Sequence, residues 1–176
     1  MTKEQFNNRI LSLQNKLFRY AISIVADREL ARDIVQEILL KCWTQRQELN
    51  KVKQIEAWCI RMTRNKAYDK LRLHSNKTVA LKFAEQQASY FANPDKRTEE
   101  RDLLSNIHLL LEELPEKQRE IFRLKDLLGY SNQEIEEILE LDATQVKVYL
   151  FRARKKIKSK LNLIMNYGLQ NKKTAS

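Results

Sequence analysis

What most constrains this chain is how little of it can break a helix. Its 176 residues include two glycines, Gly129 and Gly168, and two prolines, Pro94 and Pro115. Glycine supplies left-handed backbone and proline removes a hydrogen-bond donor, so a sequence this poor in both lacks the turns a β-rich fold needs. Glycine-rich phosphate loops are excluded on the same ground. Leu, Lys, Glu, Gln and Arg dominate the remainder, all good helix formers. The expected class is all-α, with room for two small helical domains joined by a flexible linker. No stretch approaches ~20 uncharged apolar residues, so no membrane insertion is expected. The opening MTKEQFNNRI has no apolar signal core, which points to a cytoplasmic location. Cys42 and Cys59 match no zinc or thioredoxin spacing and read as two small buried thiols. His74 and His108 are the only histidines, and no nucleophile stands beside an obvious base. No catalysis, cofactor, metal or small-molecule substrate is therefore expected.

Charge is distributed in blocks. The net charge is +10, but residues 1–50 hold 8 basic and 6 acidic side chains, and residues 51–82 hold 9 and 2. Residues 83–142 reverse this with 7 and 15, and residues 143–176 hold 9 and 0. Two basic blocks separated by an acidic stretch suggest two separate contacts with a polyanion.

Phe6, Ile10, Leu13, Leu17, Ala21 and Ile24 recur every three to four residues, which predicts one long amphipathic helix. Asp27 can cap the next helix by accepting from its freed backbone N–H groups. There Ala31, Ile34, Val35, Ile38 and Cys42 share one side, and Asp33, Gln36, Glu37, Leu40 and Thr44 fall opposite. That outer stripe sets Leu40 among acids and an amide, a composition that suits a partner surface as well as plain solvation. Residues 49–56 keep no period and read as a loop carrying Lys51, Lys53 and Ile55. A third helix is expected from Ala57 to Leu73, with Ile60, Ala67 and Leu71 inward. Trp58, Arg61, Asn65, Asp69 and Arg72 occupy another face, flanked by Arg64, Lys66, Tyr68 and Lys70. Guanidinium, amide and aromatic groups at this spacing suit base stacking, base-edge hydrogen bonds and phosphate contacts. Trp58 also reads as a core anchor, and Asp69 as an i,i+3 brace for Arg72.

The pattern lapses after His74. Pro94, a charge run and scattered aromatics mark a domain boundary. A flexible linker of this length averages ~25–30 Å end to end, so the two domains could grip separated sites on one long ligand. The expected division is residues 1–74, a linker 75–102, a second domain 103–163 and a basic tail 164–176. Leu103, Ile107, Leu110 and Leu114 reopen the helical period, and Pro115 starts the next helix where its missing N–H costs nothing. Gly129 is a left-handed C-cap. Ser131 with Glu134, then Asp142 with Gln145, form two capping boxes a short turn apart. Two capped helices so joined, the second basic throughout, predict a helix-turn-helix. In its last helix Val146, Leu150, Ala153 and Ile157 face inward. Thr144, Gln145, Lys147, Val148, Tyr149 and Arg152 form the half that enters a major groove, with base reading assigned to Gln145, Lys147, Tyr149 and Arg152. Arg154, Lys155 and the distal lysines answer to phosphate and to the helix dipole.

Taken together these segments resemble the extracytoplasmic-function (ECF) sigma factors of the sigma-70 family. Asp33-Ile-Val-Gln-Glu37 is similar to their D-x-V-Q-E signature. Ala57-Trp58, Arg61, Arg64-Asn65, Asp69 and Arg72 follow their A-W-L-x-R-I-x-R-N-x-x-x-D-x-x-R pattern. Leu114-Pro115-x-x-x-Arg119 and Tyr130-Ser131-x-x-Glu134-Ile135 resemble the opening of their second DNA-binding region, and Val146-Lys147 with Arg152-Ala153-Arg154-Lys155 its recognition helix. The resemblance implies that Asp33, Gln36, Glu37 and Leu40 dock on core RNA polymerase. It implies that Lys51, Lys53, Ile55, Arg61, Arg64, Asn65, Lys66 and Arg72 bind and melt the promoter's −10 element. Thr144, Gln145, Lys147, Tyr149, Arg152, Arg154 and Lys155 would then contact the −35 element. An anti-sigma factor is the further partner it implies. Two departures stand out: Glu136 where that family usually has alanine, and Glu140 where it has a turn glycine, which leaves the turn's backbone open. Tyr149 and Val148 also replace frequent arginine and serine. The alternative is a stand-alone helix-turn-helix regulator that binds duplex DNA without polymerase, usually as a dimer. It leaves the Asp33–Glu37 stripe and the first basic block unexplained. A pure protein adaptor leaves the wholly basic last helix unexplained.

Overall fold

The computed structural model describes residues 1–75 and 109–174. Most of the expected linker, with Leu103 and Ile107, lies outside the described residues. Secondary structure among the described residues is entirely helical. Two compact units divide the chain, one formed by the N-terminal helices and one by most of the C-terminal half.

In the N-terminal unit, α1 (Lys3–Arg9) opens on a capping box in which the Thr2 hydroxyl accepts from Gln5 N–H and the Gln5 amide oxygen accepts from Thr2 N–H. The single long helix expected over Phe6–Ile24 is interrupted. Ile10 leaves helical geometry at φ −121°, a 3₁₀ turn spans Leu11–Leu13, and α2 (Gln14–Val25) starts afresh. At the break the Ser12 hydroxyl donates to the Asn8 carbonyl at 2.8 Å, a side-chain bond of the kind that bends helices. Ala26 ends α2 in the left-handed region at φ 53°. Asp27 then caps α3 (Arg28–Thr44), its carboxylate accepting from Leu30 N–H at 2.9 Å. A short α4 (Arg46–Leu49) comes next, and α5 spans Ile55–Ser75.

Helix α2 packs on both α3 and α5, and these two pack on each other. Leu17, Tyr20, Ala21 and Ile24 of α2 are buried, as are Ala31, Ile34, Val35 and Ile38 of α3 and Cys59, Ile60 and Ala67 of α5. Each such Leu or Ile contributes about 1.5–3 kcal/mol on burial. Cys42 and Cys59 are free thiols buried in this core with Sγ atoms 3.9 Å apart. Contact with Cys42, then burial, pushes the Cys59 thiol far above the ordinary thiol range.

In the C-terminal unit a helical turn at 109–112 leads to α6 (Glu116–Phe122), which follows Pro115 directly and is continued by a π-helical turn, Arg123–Leu127. Gly129, at φ 80°, closes that turn, its N–H donating to the Lys125 carbonyl at 3.2 Å. Helix α7 (Asn132–Leu139) and helix α8 (Ala143–Thr174) complete the chain. Both capping boxes are formed: Ser131 with Glu134, and Asp142 with Gln145. Leu110, Leu111, Leu114, Ala153 and Ile157 share one apolar cluster, with Phe122, Leu127 and Leu161 packed against it. Helix α8 runs past the expected end at Leu163 to Thr174, so the segment read as a tail continues the helix. Gly168 alone interrupts its helix-forming composition there.

Between α7 and α8, Glu140 takes the left-handed conformation that the family's glycine would supply, at φ 55°. The Leu141 N–H donates to the Glu136 carbonyl at 3.1 Å, the six-to-one bond of a Schellman turn. The turn's backbone is thus kept and the strain falls on one non-glycine residue. Left-handed backbone costs an L-residue about 1–2 kcal/mol, less the entropy that glycine forfeits on folding. Glu140→Gly is expected to stabilise the C-terminal unit by about 0.5–1 kcal/mol in urea unfolding. A loss of stability would mean the Glu140 side chain contributes more than its backbone costs.

Candidate nucleic-acid and partner surfaces

Three exposed faces carry the chemistry. The first is the outer stripe of α3. Burying Ala31, Ile34, Val35 and Ile38 leaves Asp33, Gln36, Glu37 and Leu40 in solvent, and Leu40 is 65% exposed. Trp43 extends the stripe one turn further. Its ring meets Phe6 edge-on at 5.0 Å and carries the Arg46 guanidinium 4.4 Å from its centroid. A half-exposed tryptophan held by a cation and a second ring suits a contact surface. Glu37 is not idle there: its carboxylate bridges Lys66 and Lys70 of α5, the Lys70 Nζ at 2.9 Å. Hydrogen bonds from Lys66 and then Lys70 hold its carboxyl below the usual carboxylate range.

The second face lies on α5 and the segment before it. The expected loop 49–56 is shorter, because α4 holds Leu49 and α5 already begins at Ile55. Ile55 is buried at the head of α5, whereas Lys51 and Lys53 are exposed. Arg61, Arg64 and Lys66 are half-buried; Asn65 and Arg72 are exposed. The Arg64 guanidinium lies 5.7 Å from the Tyr68 ring, and Asp69 braces Arg72 at 3.7 Å. Trp58 is only partly buried, so it is less a core anchor than its size suggests.

The third face is the outer side of α8. Val146, Leu150, Ala153 and Ile157 are buried as expected. At about 100° per residue, the side opposite them is centred on Thr144, Val148, Phe151, Arg152 and Lys155. All five are exposed, Phe151 at 68% and Val148 at 38%. Lys147 flanks this side and is exposed, while Tyr149 is half-buried. The Gln145 amide oxygen accepts from Asp142 N–H at 3.1 Å, so it serves the cap. Arg154 is held by Asp126 in a two-point contact at 2.5 and 3.1 Å. Lys156 donates to the Glu113 carbonyl at 2.6 Å and Lys160 pairs with its carboxylate at 3.0 Å. Part of the basic run therefore closes the unit on itself. Phe151 is not singled out by the sequence pattern: an aromatic residue passes for core, and only its offset from the inward stripe betrays it.

A model of sigma-70 region 2 matches residues 10–76, and one of sigma-70 region 4 matches residues 104–157. The chain belongs to the sigma-70 family. Among curated relatives, the ECF RNA polymerase sigma factor SigM of Bacillus subtilis is 26% identical over 156 residues, covering 86% of this chain and 92% of that protein. The probable RNA polymerase sigma factor RfaY of Xanthomonas campestris pv. campestris is 26% identical over 163 residues, 90% of this chain but 41% of RfaY. The chain thus spans less than half the length of RfaY and nearly all of SigM. Two solved structures share its fold. CnrH in complex with the cytosolic domain of CnrY has a TM-score of 0.69 at 21% identity, covering 92% of this chain and 90% of that one. The sigma factor RpoE in complex with the anti-sigma factor NepR from Bartonella quintana has a TM-score of 0.66 at 20% identity, covering 90% and 98%.

Membership of the sigma-70 family places the three faces in two regions. The α3 stripe and the basic face of α5 lie in the region 2 match, and the first turns of α8 in the region 4 match. The family is one of transcription initiation. Among the described residues no cluster of His, Cys, Asp and Glu could hold a metal ion, and no helix is long and apolar enough to cross a membrane.

Proposed function

We propose that this protein is an alternative ECF sigma factor that binds core RNA polymerase and directs it to promoters through separate contacts on the −10 and −35 elements. In this reading Asp33, Gln36, Glu37 and Leu40, extended by Trp43, dock on the polymerase. The basic face of α5, with Lys51 and Lys53 ahead of it, holds and opens the −10 element. The outer side of α8 reads the −35 element, and Arg154 supports it from its pairing with Asp126. One observation carries the choice: Leu40 is 65% exposed within an acidic and amide stripe on a helix already buried on its other side. A regulator that binds duplex DNA alone has no use for that stripe. The partners proposed are core polymerase, promoter DNA and an anti-sigma factor; the last is named in the RpoE–NepR complex. The place of action is where polymerase and chromosome meet, the cytoplasm.

The test is co-purification of the tagged chain with core RNA polymerase, followed by run-off transcription from a genomic promoter library. Stoichiometric binding with new specific transcripts is the expected result. Gln36→Ala with Leu40→Ala, which leaves the Glu37 ion pairs in place, is expected to weaken polymerase binding about tenfold or more, as loss of central interface side chains does. A folded wild-type chain that ignores polymerase but binds duplex DNA tightly would instead be the stand-alone regulator.

A further inference from the structure

Glu37 belongs to two faces at once. Its backbone sets it on the α3 stripe proposed to meet polymerase, while its carboxylate is gripped by Lys66 and Lys70 of the DNA-facing helix. Those lysines stand four residues apart, on one side of α5, where like charges repel unless an anion lies between them. Two ammonium groups converging on two oxygens of one anion is also how a phosphate is held. The three side chains are 42%, 37% and 27% exposed, so both the acid and the lysines are within reach of outside partners.

We propose that Lys66 and Lys70 form a binding site for a backbone phosphate of single-stranded promoter DNA, which the Glu37 carboxylate fills in the free protein and vacates when a basic group of the polymerase takes it. The inference rests on the sigma-factor reading above. Its logic is charge balance. Glu37 with two lysines is a cluster of net charge +1, which repels an incoming polymerase cation as long as the lysines stay. The same carboxylate repels an incoming phosphate. Each arrival therefore removes the obstacle to the other, and such coupling is reciprocal by thermodynamic necessity. Surface ion pairs are each worth up to about fivefold in an equilibrium, weak enough to be exchanged and large enough to bias when the lysines are offered to DNA. Free protein is thereby kept from settling on exposed single strands.

The experiment measures binding of a fluorescein-labelled oligothymidylate to the full chain over a range of salt. Glu37→Gln is expected to tighten binding about threefold or more at low salt. It should also steepen the salt dependence by about 0.7, since one more phosphate neutralised adds ~0.7 to the slope for a single strand. Lys66→Ala with Lys70→Ala in the Glu37→Gln background should erase both changes. Glu29→Gln, which removes the same charge from the same helix, should leave the slope alone. An unchanged slope in Glu37→Gln, or a gain that survives loss of both lysines, overturns the proposal. If wild type still binds core polymerase in that case, the exchange alone has failed; if it does not, the sigma-factor reading has failed with it.

Discussion

Replacing Arg123 with alanine is expected to cost the C-terminal unit about 3–5 kcal/mol, a large share of a small domain's stability. Arg123 is 0% exposed and lies between two carboxylates, Glu120 Oε1 at 2.8 Å and Glu112 Oε1 at 2.9 Å. Glu120 is itself 1% exposed, so removing the guanidinium takes from a buried carboxylate a partner that water cannot replace. Glu112 would fare better, because Arg119 also holds it at 2.6 Å. Arg119 further donates to the Leu114 carbonyl at 3.0 Å, fastening the end of the preceding helical turn to α6. The same reasoning says what should repair the damage. Glu120→Leu combined with Arg123→Met removes both charges and is expected to recover most of the loss, since apolar replacement of a buried pair is often neutral or better. Circular dichroism during urea unfolding, resolving the transitions of the two units, is the check. A loss below about 1 kcal/mol in Arg123→Ala would show that Glu120 finds other relief.

Arg123 also marks where sequence reading stops. The features it captured are local: Asp27, Ser131 with Glu134, Asp142 with Gln145 and the positive φ of Gly129 each follow from residues within four positions. The inward stripes of α3 and α8 were legible for the same reason, since helical period alone fixes them. A buried arginine is not local information. Charged side chains are by default exposed, and what pulls Arg123 inside is a pair of acids on two different turns. The break at Ile10–Leu13 escaped because the apolar period carries straight through it. The Glu37 bridge escaped because its ends lie on different helices, each sensible alone: an acid on a partner face and lysines on a DNA face. Glu140 is the instructive case in the other direction, where a departure from the family pattern leaves a non-glycine residue in left-handed backbone at φ 55°.

On α8 the same contrast between pattern and exposure leads to the second large effect. Phe151 and Arg152 sit side by side on the outer face, neither buried, so truncating them should leave the melting temperature almost unchanged. Their loss should appear in promoter choice. A guanidinium in a major groove reads guanine, and an exposed ring reads a thymine methyl. Arg152→Ala is expected to lower −35-dependent transcription by about 1–3 kcal/mol, roughly 5- to 150-fold, and to relax preference at one position. Phe151→Ala should cost somewhat less and act at a neighbouring position, because the apolar contact lacks a paired hydrogen bond. Lys155→Ala serves as the contrast, weakening all promoters alike and lowering the salt dependence by about 1, as a phosphate contact should. Run-off transcription from a library randomised in the −35 element separates these behaviours. If Phe151→Ala transcribes the library as wild type does, the exposed ring serves a protein partner of the helix rather than DNA, and base reading falls back on Lys147 and Arg152.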